Sequence, residues 1–204
     1  GCLAQIVPDR VPAEGAAGLW GIQLRGGPEV ARHFPGNWKG PAWETLFFNA
    51  GGGGARPGID GLSATAFPSG VRAMPVEVVE SRSPVVLWKK ELRPGSAGAG
   101  RYRGGFGQSI ELATRDGAPV GLFAMFDRTT QRAQGRQGGD AGAIGSLHLA
   151  SGAPLAPKGF QLIGPGERMC FHLPGGGGFG PVTNRDPAAI AADRRAGLLD
   201  GGAD

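Results

Sequence analysis

The chain has 204 residues, enough for one domain with its own core or for a large piece of a bigger one. Its 40 glycines and 17 prolines exceed ordinary usage, but they follow no short repeat and apolar runs interrupt them, so a loop-rich β protein is expected rather than a disordered or solenoid one. The formal charge of +4 and the pI of 9.6 arise without any basic run interleaved with aromatics, which argues against nucleic acid, and no run of about 18 apolar residues is present to cross a membrane. Residues 1–8 have no basic segment of the signal-peptide kind, and Cys2 and Cys170 are too few and too far apart for a disulfide framework, so a reducing compartment is the expectation.

Cys2 to Val7 reads as the end of a helix stopped by Pro8 and Pro12, which leads to the expectation that the helix begins before Gly1. Ala13 to Gly27 is rich in small residues and reads as a loop. Pro41 to Ala50, with Trp43, Leu46, Phe47 and Phe48, predicts a buried strand before the four-glycine run Gly51–Gly54. Pro75 to Glu80 (PVEVVE) predicts a short strand, and Val85 to Leu92 a longer one.

Ser109 to Thr114 alternates Ile110 and Leu112 against Ser109 and Glu111, the period of a half-buried strand. Arg115-Asp116-Gly117 is a hairpin turn signal before a strand over Val120 to Phe126. Gln131 to Gly145 is a polar glycine-rich loop, followed by a short strand over Ser146 to Ala150. Phe160–Ile163 and Glu167–Leu173 read as a hairpin across Gly164-Pro165-Gly166. In the tail, Asp186 before Pro187 is a helix N-cap signal, with helix expected over Ala188 to Leu199 and an end at Gly201 and Gly202. Arg194 and Arg195 near its C-terminal end suit the helix dipole.

The pattern leaves several chemistries open. Neither Gly51–Gly54 nor Gly175–Gly178 carries the lysine of a phosphate loop, so structural turns are the first reading of both, with an anion-holding nest of backbone N–H groups as the second. Cys170 and His172 share a strand face, a spacing that permits a metal pair. It is equally the spacing of a core strand with Met169, Phe171 and Leu173 packed behind, and no other His or Cys lies near in sequence, His33 and His148 being isolated; no metal ligand is assigned. Arg72, Glu77, Glu80, Arg82, Glu91, Arg93, Arg101 and Arg103 punctuate glycine loops and strand ends. They form either solvated edges with surface ion pairs, or inward-turned groups that hold a carboxylate or phosphate in an arginine fork.

Four stretches add a family resemblance to this reading. GGGGARPGIDG, SGVRAMPVEVVESRSPV, ELRPGSAGAGRYRGGFGQ and PGERMCFHLPGGGGFG, the last followed by a DPAAI helix, closely resemble the hydantoinase B/oxoprolinase family, in the same order from about Gly51 to Leu199. The family includes the B subunit of N-methylhydantoinase and the C-terminal half of 5-oxoprolinase, with related subunits in acetone and acetophenone carboxylases. The resemblance implies a C-terminal portion of a larger cytoplasmic subunit that hydrolyses a cyclic amide. It implies an ATP-binding partner of the hydantoinase A type, which would hold ATP and Mg2+. It leaves room for a divalent metal in the N-terminal part of such a subunit and assigns none here. Ketone carboxylation and a non-catalytic scaffold or interface role are the alternatives.

The fold expected is mainly β or α+β, with glycine-loop-rich antiparallel or mixed sheets and a short C-terminal helix. Residues 1–50 are expected to end a preceding region, 51–181 to form the β-rich core and 182–204 a helical tail. The motif matches place candidate catalytic residues at Arg72, Glu77, Glu80 and, in FDRTTQRAQGRQGGDAGAIG, at Arg128. Arg93, Arg101 and Arg103 are candidate substrate-binding residues. The chain departs from the oxoprolinases at FPSGVR, where those read Thr-Asn-Thr before the arginine, and at Phe106, where those have an acid. Hydrolysis of an activated amide needs developing negative charge to be stabilised and a water to be placed. Arg72 and Arg128 suit the first task and Glu77 or Glu80 the second, with glycine-loop N–H groups near the oxyanion.

Overall fold

The computed structural model describes residues 2–66 and 69–199. Eight strands form two antiparallel sheets of four. The first has the order β2-β1-β5-β7, from β1 (Trp20–Gly26), β2 (Trp43–Asn49), β5 (Val120–Met125) and β7 (Lys158–Ile163). The second has the order β3-β4-β8-β6, from β3 (Val85–Leu92), β4 (Gln108–Thr114), β6 (Ser146–Leu149) and β8 (Met169–His172). Among the described residues there are also four short α-helices, α1 (Cys2–Ile6), α2 (Pro28–Ala31), α3 (Val76–Arg82) and α4 (Pro187–Arg195), and two 3-10 turns at Pro8–Arg10 and Val182–Asn184. The expected α+β class, rich in antiparallel sheet, is the observed one.

The two sheets share one apolar core. Ile22, Leu24, Phe47, Leu122 and Ala124 come from the first, and Ile110, Leu112, Leu147, Met169 and Phe171 from the second. Trp20 stacks on Phe126 with ring centroids 4.5 Å apart, and Phe126 meets Phe171 edge-on at 5.7 Å. The indole Nε1–H donates to the Asp127 carbonyl at 3.1 Å, so this buried ring is satisfied at its polar end. Burial of each such aromatic contributes about 2–3 kcal/mol by area. The alternation read in β4 holds, since Ile110 and Leu112 point inward. So does the packing of Met169, Phe171 and Leu173 behind Cys170 and His172.

Several expectations fail for reasons of tertiary packing. PVEVVE is a helix, not a strand. Pro75 is its N-cap, Val79 is fully buried beneath it, and Ser83 closes it with N–H and hydroxyl both donated to the Val79 carbonyl. The β-branched valines favour a strand, and the buried face overrides them. Ala13 to Gly27 contains a central strand, β1, paired on both sides; its small residues hid the pattern. β2 is half-buried rather than buried, with Phe47 and Asn49 inward but Leu46 and Phe48 outward.

Neither expected hairpin exists. β4 and β5 flank the Arg115–Gly117 turn but lie in different sheets, as do β7 and β8 around Gly164–Gly166. Each turn carries the chain across the core. The helix from Pro187 ends at Arg195, four residues earlier than expected, where Gly197 adopts φ 66° and donates to the Arg194 carbonyl at 2.9 Å. The stop expected at Gly201 and Gly202 lies outside the described residues, as does the Phe-Pro of FPSGVR.

The glycine-rich segments pack on one another as bare backbone. Gly53 donates to the Leu62 carbonyl and accepts from Gly105, both at 2.8 Å, while Gly176 donates to Gly105 at 3.0 Å. A Cβ on Gly52 would overlap the Gly105 carbonyl, and one on Gly176 would overlap the Gly53 carbonyl. The two four-glycine runs are therefore neighbours in one layer, and close backbone approach is what requires glycine there. The outer face of the first sheet is the opposite case. Leu46, Phe48, Phe123, Met125, Phe160 and Leu162 stand on it side by side, 37–55 % exposed.

Candidate functional site

Glycine packing decides what the four-glycine runs can do. Gly52 donates to Pro174 at 2.9 Å, Gly175 to Ala143 at 3.1 Å, Gly177 to Glu14 at 2.8 Å and Gly178 to Asp140 at 2.9 Å, in addition to the bonds of Gly53 and Gly176. These six of the eight amides are already bonded to carbonyls and so are not free to face an oxyanion. Neither run carries a lysine, and among the described residues no group of three or more His, Cys, Asp or Glu is placed to hold a metal ion.

The edge of this layer is a polar cleft of about 540 Å³, whose lining includes Glu14, Gly51–Gly53, Thr65, Ser69, Arg128 and Arg136. Among its lining residues Arg128 and Glu14 form an ion pair, Nη2 to Oε2 at 3.0 Å. Arg128 follows Phe126-Asp127, where the chain leaves β5, and takes the left-handed φ of 58°. Ala17, across the same cleft, has φ 64°. Such values cost non-glycine residues about 1–2 kcal/mol each and are held only when the surroundings over-determine them. Here the Arg128 carbonyl accepts Gly145 N–H at 2.8 Å, and Nη1 donates to the Arg132 carbonyl at 3.0 Å.

Glu14 is fixed from three sides. Its N–H donates to Gln134 at 3.0 Å, its carbonyl accepts Gly177, and its Oε2 accepts Gln134 N–H at 3.1 Å. Burial opposes the charge, but the Gln134 N–H and the Arg128 guanidinium outweigh it and hold the carboxyl below its ordinary range. Glu14 therefore anchors the Arg128 fork as a carboxylate and does not serve as a proton donor at neutral pH. Arg136 is stitched by its backbone to Gly178 and Gly180, both bonds 2.9 Å, while its Nε is buried without a hydrogen-bond partner. Two guanidiniums and two hydroxyls, Thr65 and Ser69, make the cleft a place for a small anionic or strongly polar ligand.

Of the seven site residues proposed from the sequence, Arg128 lines this cleft. Arg72 is exposed three residues beyond Ser69. Glu77 is exposed on α3, and Glu80 accepts Leu87 N–H at 2.8 Å, tying α3 to β3. Arg93 donates to the Ile144 and Leu173 carbonyls at 2.8 and 3.3 Å. Arg101 is exposed with its guanidinium 5.4 Å from the Tyr102 ring. Arg103 bonds Asp193 at 3.0 Å and lies 4.4 Å over the ring of Phe106, which is buried. Glu14 and Arg136 were not singled out from sequence. Arg136 stood in the same motif as Arg128, whereas Glu14 is 114 positions from its partner and carried no local signal.

His148 is not isolated in space. Its ring centroid is 5.4 Å from that of His172, whose Nδ1 lies 3.2 Å from the Ser109 hydroxyl. Burial first, then the Arg93 charge, pushes the His172 imidazole below its ordinary value.

The Hydantoinase B/oxoprolinase family model matches residues 1–182. The 5-oxoprolinase of Pestalotiopsis fici is 34% identical over 171 residues, covering 79% of this chain and 13% of that protein. Caprolactamase subunit beta of Pseudomonas jessenii is 31% identical over 227 residues, covering 97% of this chain and 35% of the subunit. In structure, the ATP-dependent caprolactamase from Pseudomonas jessenii superposes with a TM-score of 0.78 at 24% identity over 97% of this chain and 35% of that one. Nucleotide-free acetone carboxylase superposes at 0.69 and 22% identity, over 93% and 29%. These two likenesses bear on the fold. The chain thus spans about a third or less of the relatives it matches, and the match takes in both sheets and the glycine-rich segments: it belongs to the hydantoinase B/oxoprolinase family.

Proposed function

We propose that this chain serves in the ATP-dependent hydrolysis of a cyclic amide of the hydantoin, N-methylhydantoin or 5-oxoproline type, as a B-type subunit working in the cytoplasm with an ATP-binding A-type partner. The observation that carries the reading is Arg128, strained at φ 58° and anchored by ionised Glu14 beside Arg136. Opening an amide ring builds negative charge on oxygen, and preorganised guanidiniums stabilise that charge without reorganising. In this division of labour ATP and Mg2+ belong to the partner, and a divalent metal is assigned to no residue here. Arg128 holds the developing charge, Arg136 binds the polar ring, and Glu14 orients the Arg128 fork. Arg72, exposed and three residues after Ser69 in the chain, is the second candidate for a charge contact, with Glu77 and Glu80 as secondary groups of its motif.

The test is release of ADP by the complete protein with its partner, offered 5-oxoproline, hydantoin and N-methylhydantoin, and separately ketones with bicarbonate. Stimulation by a cyclic amide with ring-opened product supports the reading and names the substrate. Stimulation by ketone and bicarbonate alone overturns it in favour of a carboxylase subunit.

A scaffold role is the second reading, favoured by the apolar outer face of β2-β1-β5-β7. Six large side chains there exceed what an isolated soluble surface carries as scattered residues. An interface on this face is compatible with catalysis in the Arg128 cleft.

A further inference from the structure

A second cleft, of about 510 Å³, opens between α3, the turn after β4 and the loop before β2, away from Arg128. Its size is that of a small-molecule site. Two indoles line it, Trp38 and Trp43, both half-buried. Each is pinned. Trp38 Nε1–H donates to the Pro35 carbonyl at 3.2 Å, and Trp43 lies against Gly26, where any Cβ would overlap the indole.

Three cations share the lining: Lys39, Arg82 and Arg115. Arg115 spends one Nη on the Glu80 carbonyl at 2.8 Å. The side chains of Lys39 and Arg82, both exposed, make no hydrogen bond or ion pair with the described residues. The two carboxylates at the cleft are engaged by backbone donors, Glu80 by Leu87 N–H at 2.8 Å and Asp116 by Ala118 N–H at 3.1 Å. Three cations against two carboxylates leave the cleft one net positive charge beside its flat π surfaces, with Lys39 and Arg82 at its exposed rim.

We infer that this cleft binds a planar ring carrying an anionic group, with the ring against Trp38 and Trp43 and the anion at Lys39 and Arg82. A neutral ring would forgo the contact with Lys39 and Arg82, and a bare anion would forgo the indole faces. Either a nucleoside monophosphate or an aromatic carboxylate has this chemistry.

The experiment titrates the complete protein with AMP and with 1-naphthoate, followed by tryptophan fluorescence and calorimetry, with adenosine and inorganic phosphate as the half-ligands. The expected result is binding of a ring-bearing anion at about millimolar Kd or better, with each half-ligand at least about tenfold weaker. Trp38→Leu and Arg82→Gln, both outside the core, each weaken binding by about five- to tenfold. Whichever probe binds tighter names the source. Absence of binding by both probes overturns the inference. So does binding that both variants leave unchanged, or phosphate binding as tight as AMP. The inference does not depend on the cyclic-amide reading: the ADP-release assay can fail while the fluorescence titration succeeds.

Discussion

Replacing Arg128 by glycine separates strain from function. At φ 58° the arginine backbone costs about 1–2 kcal/mol that glycine does not incur. Against that relief, Arg128→Gly loses the Glu14 ion pair, whose side chains are 21% and 33% exposed, and the bond to the Arg132 carbonyl. A pair of that exposure contributes about 0.5–1 kcal/mol, and the hydrogen bond about 1 kcal/mol. The two sides nearly cancel, so the melting temperature should move by no more than about 2–4 °C. Turnover should fall by about 100- to 1,000-fold, as for loss of one charge-stabilising donor. Arg128→Ala keeps the strain and loses the contacts, so it should melt lower than Arg128→Gly while being as inactive. The assay is ring opening by the complete protein with its partner, alongside a thermal melt of each variant. Turnover within about threefold of wild type would refute the placement of Arg128 at the reacting atoms. A stability loss above about 3 kcal/mol would make it a structural residue instead.

Three further outcomes follow from the same contacts. Asp193 on α4 accepts Arg185 at 2.7 Å and Arg103 at 3.0 Å. Burial raises its pKa, but those bonds win and leave it below its ordinary 3.8, while Glu14 lies below its ordinary 4.5. Depressed carboxyls contribute stability that is complete above those ordinary values and lost as pH falls through the folded ones. Urea unfolding should therefore be flat above about pH 5 and weaken below it, with Asp193→Asn less stable at pH 7 and shallower in acid; a parallel pH profile in the variant would count against the network. Gly176→Ala places a Cβ on the Gly53 carbonyl and should cost more than about 4 kcal/mol or abolish folding, whereas Gly40→Ala meets nothing and should stay within about 0.5 kcal/mol. Equal expression and equal melts would contradict the glycine layer. Phe48→Ser with Phe160→Ser on the outer face should leave the fold intact and weaken subunit association by at least about tenfold in sedimentation or calorimetry, and unchanged association would remove the interface reading.

The sequence by itself determined the local elements whose signal is short-range. Alternation marked β4, an apolar run marked β3, and Asp186-Pro187 marked the start of α4, where the Asp186 carboxylate indeed caps Ala188 N–H at 2.9 Å. The long motifs marked the family, and with it Arg128. Tertiary structure alone decided what depends on neighbours distant in the chain. Arg115–Gly117 and Gly164–Gly166 are good turns, but a turn specifies a reversal and not the sheet that receives the next strand. PVEVVE fits both a strand and one helical face, and a pocket for Val79 chose the helix. Glu14 meets Arg128, His148 meets His172, and Gly53 meets Gly176 across more than a hundred residues or two dozen, as the two sheets close on one core. No local propensity encodes those encounters. They follow from burying Trp20, Phe126 and Phe171 together, which fixes where every loop between the strands must end.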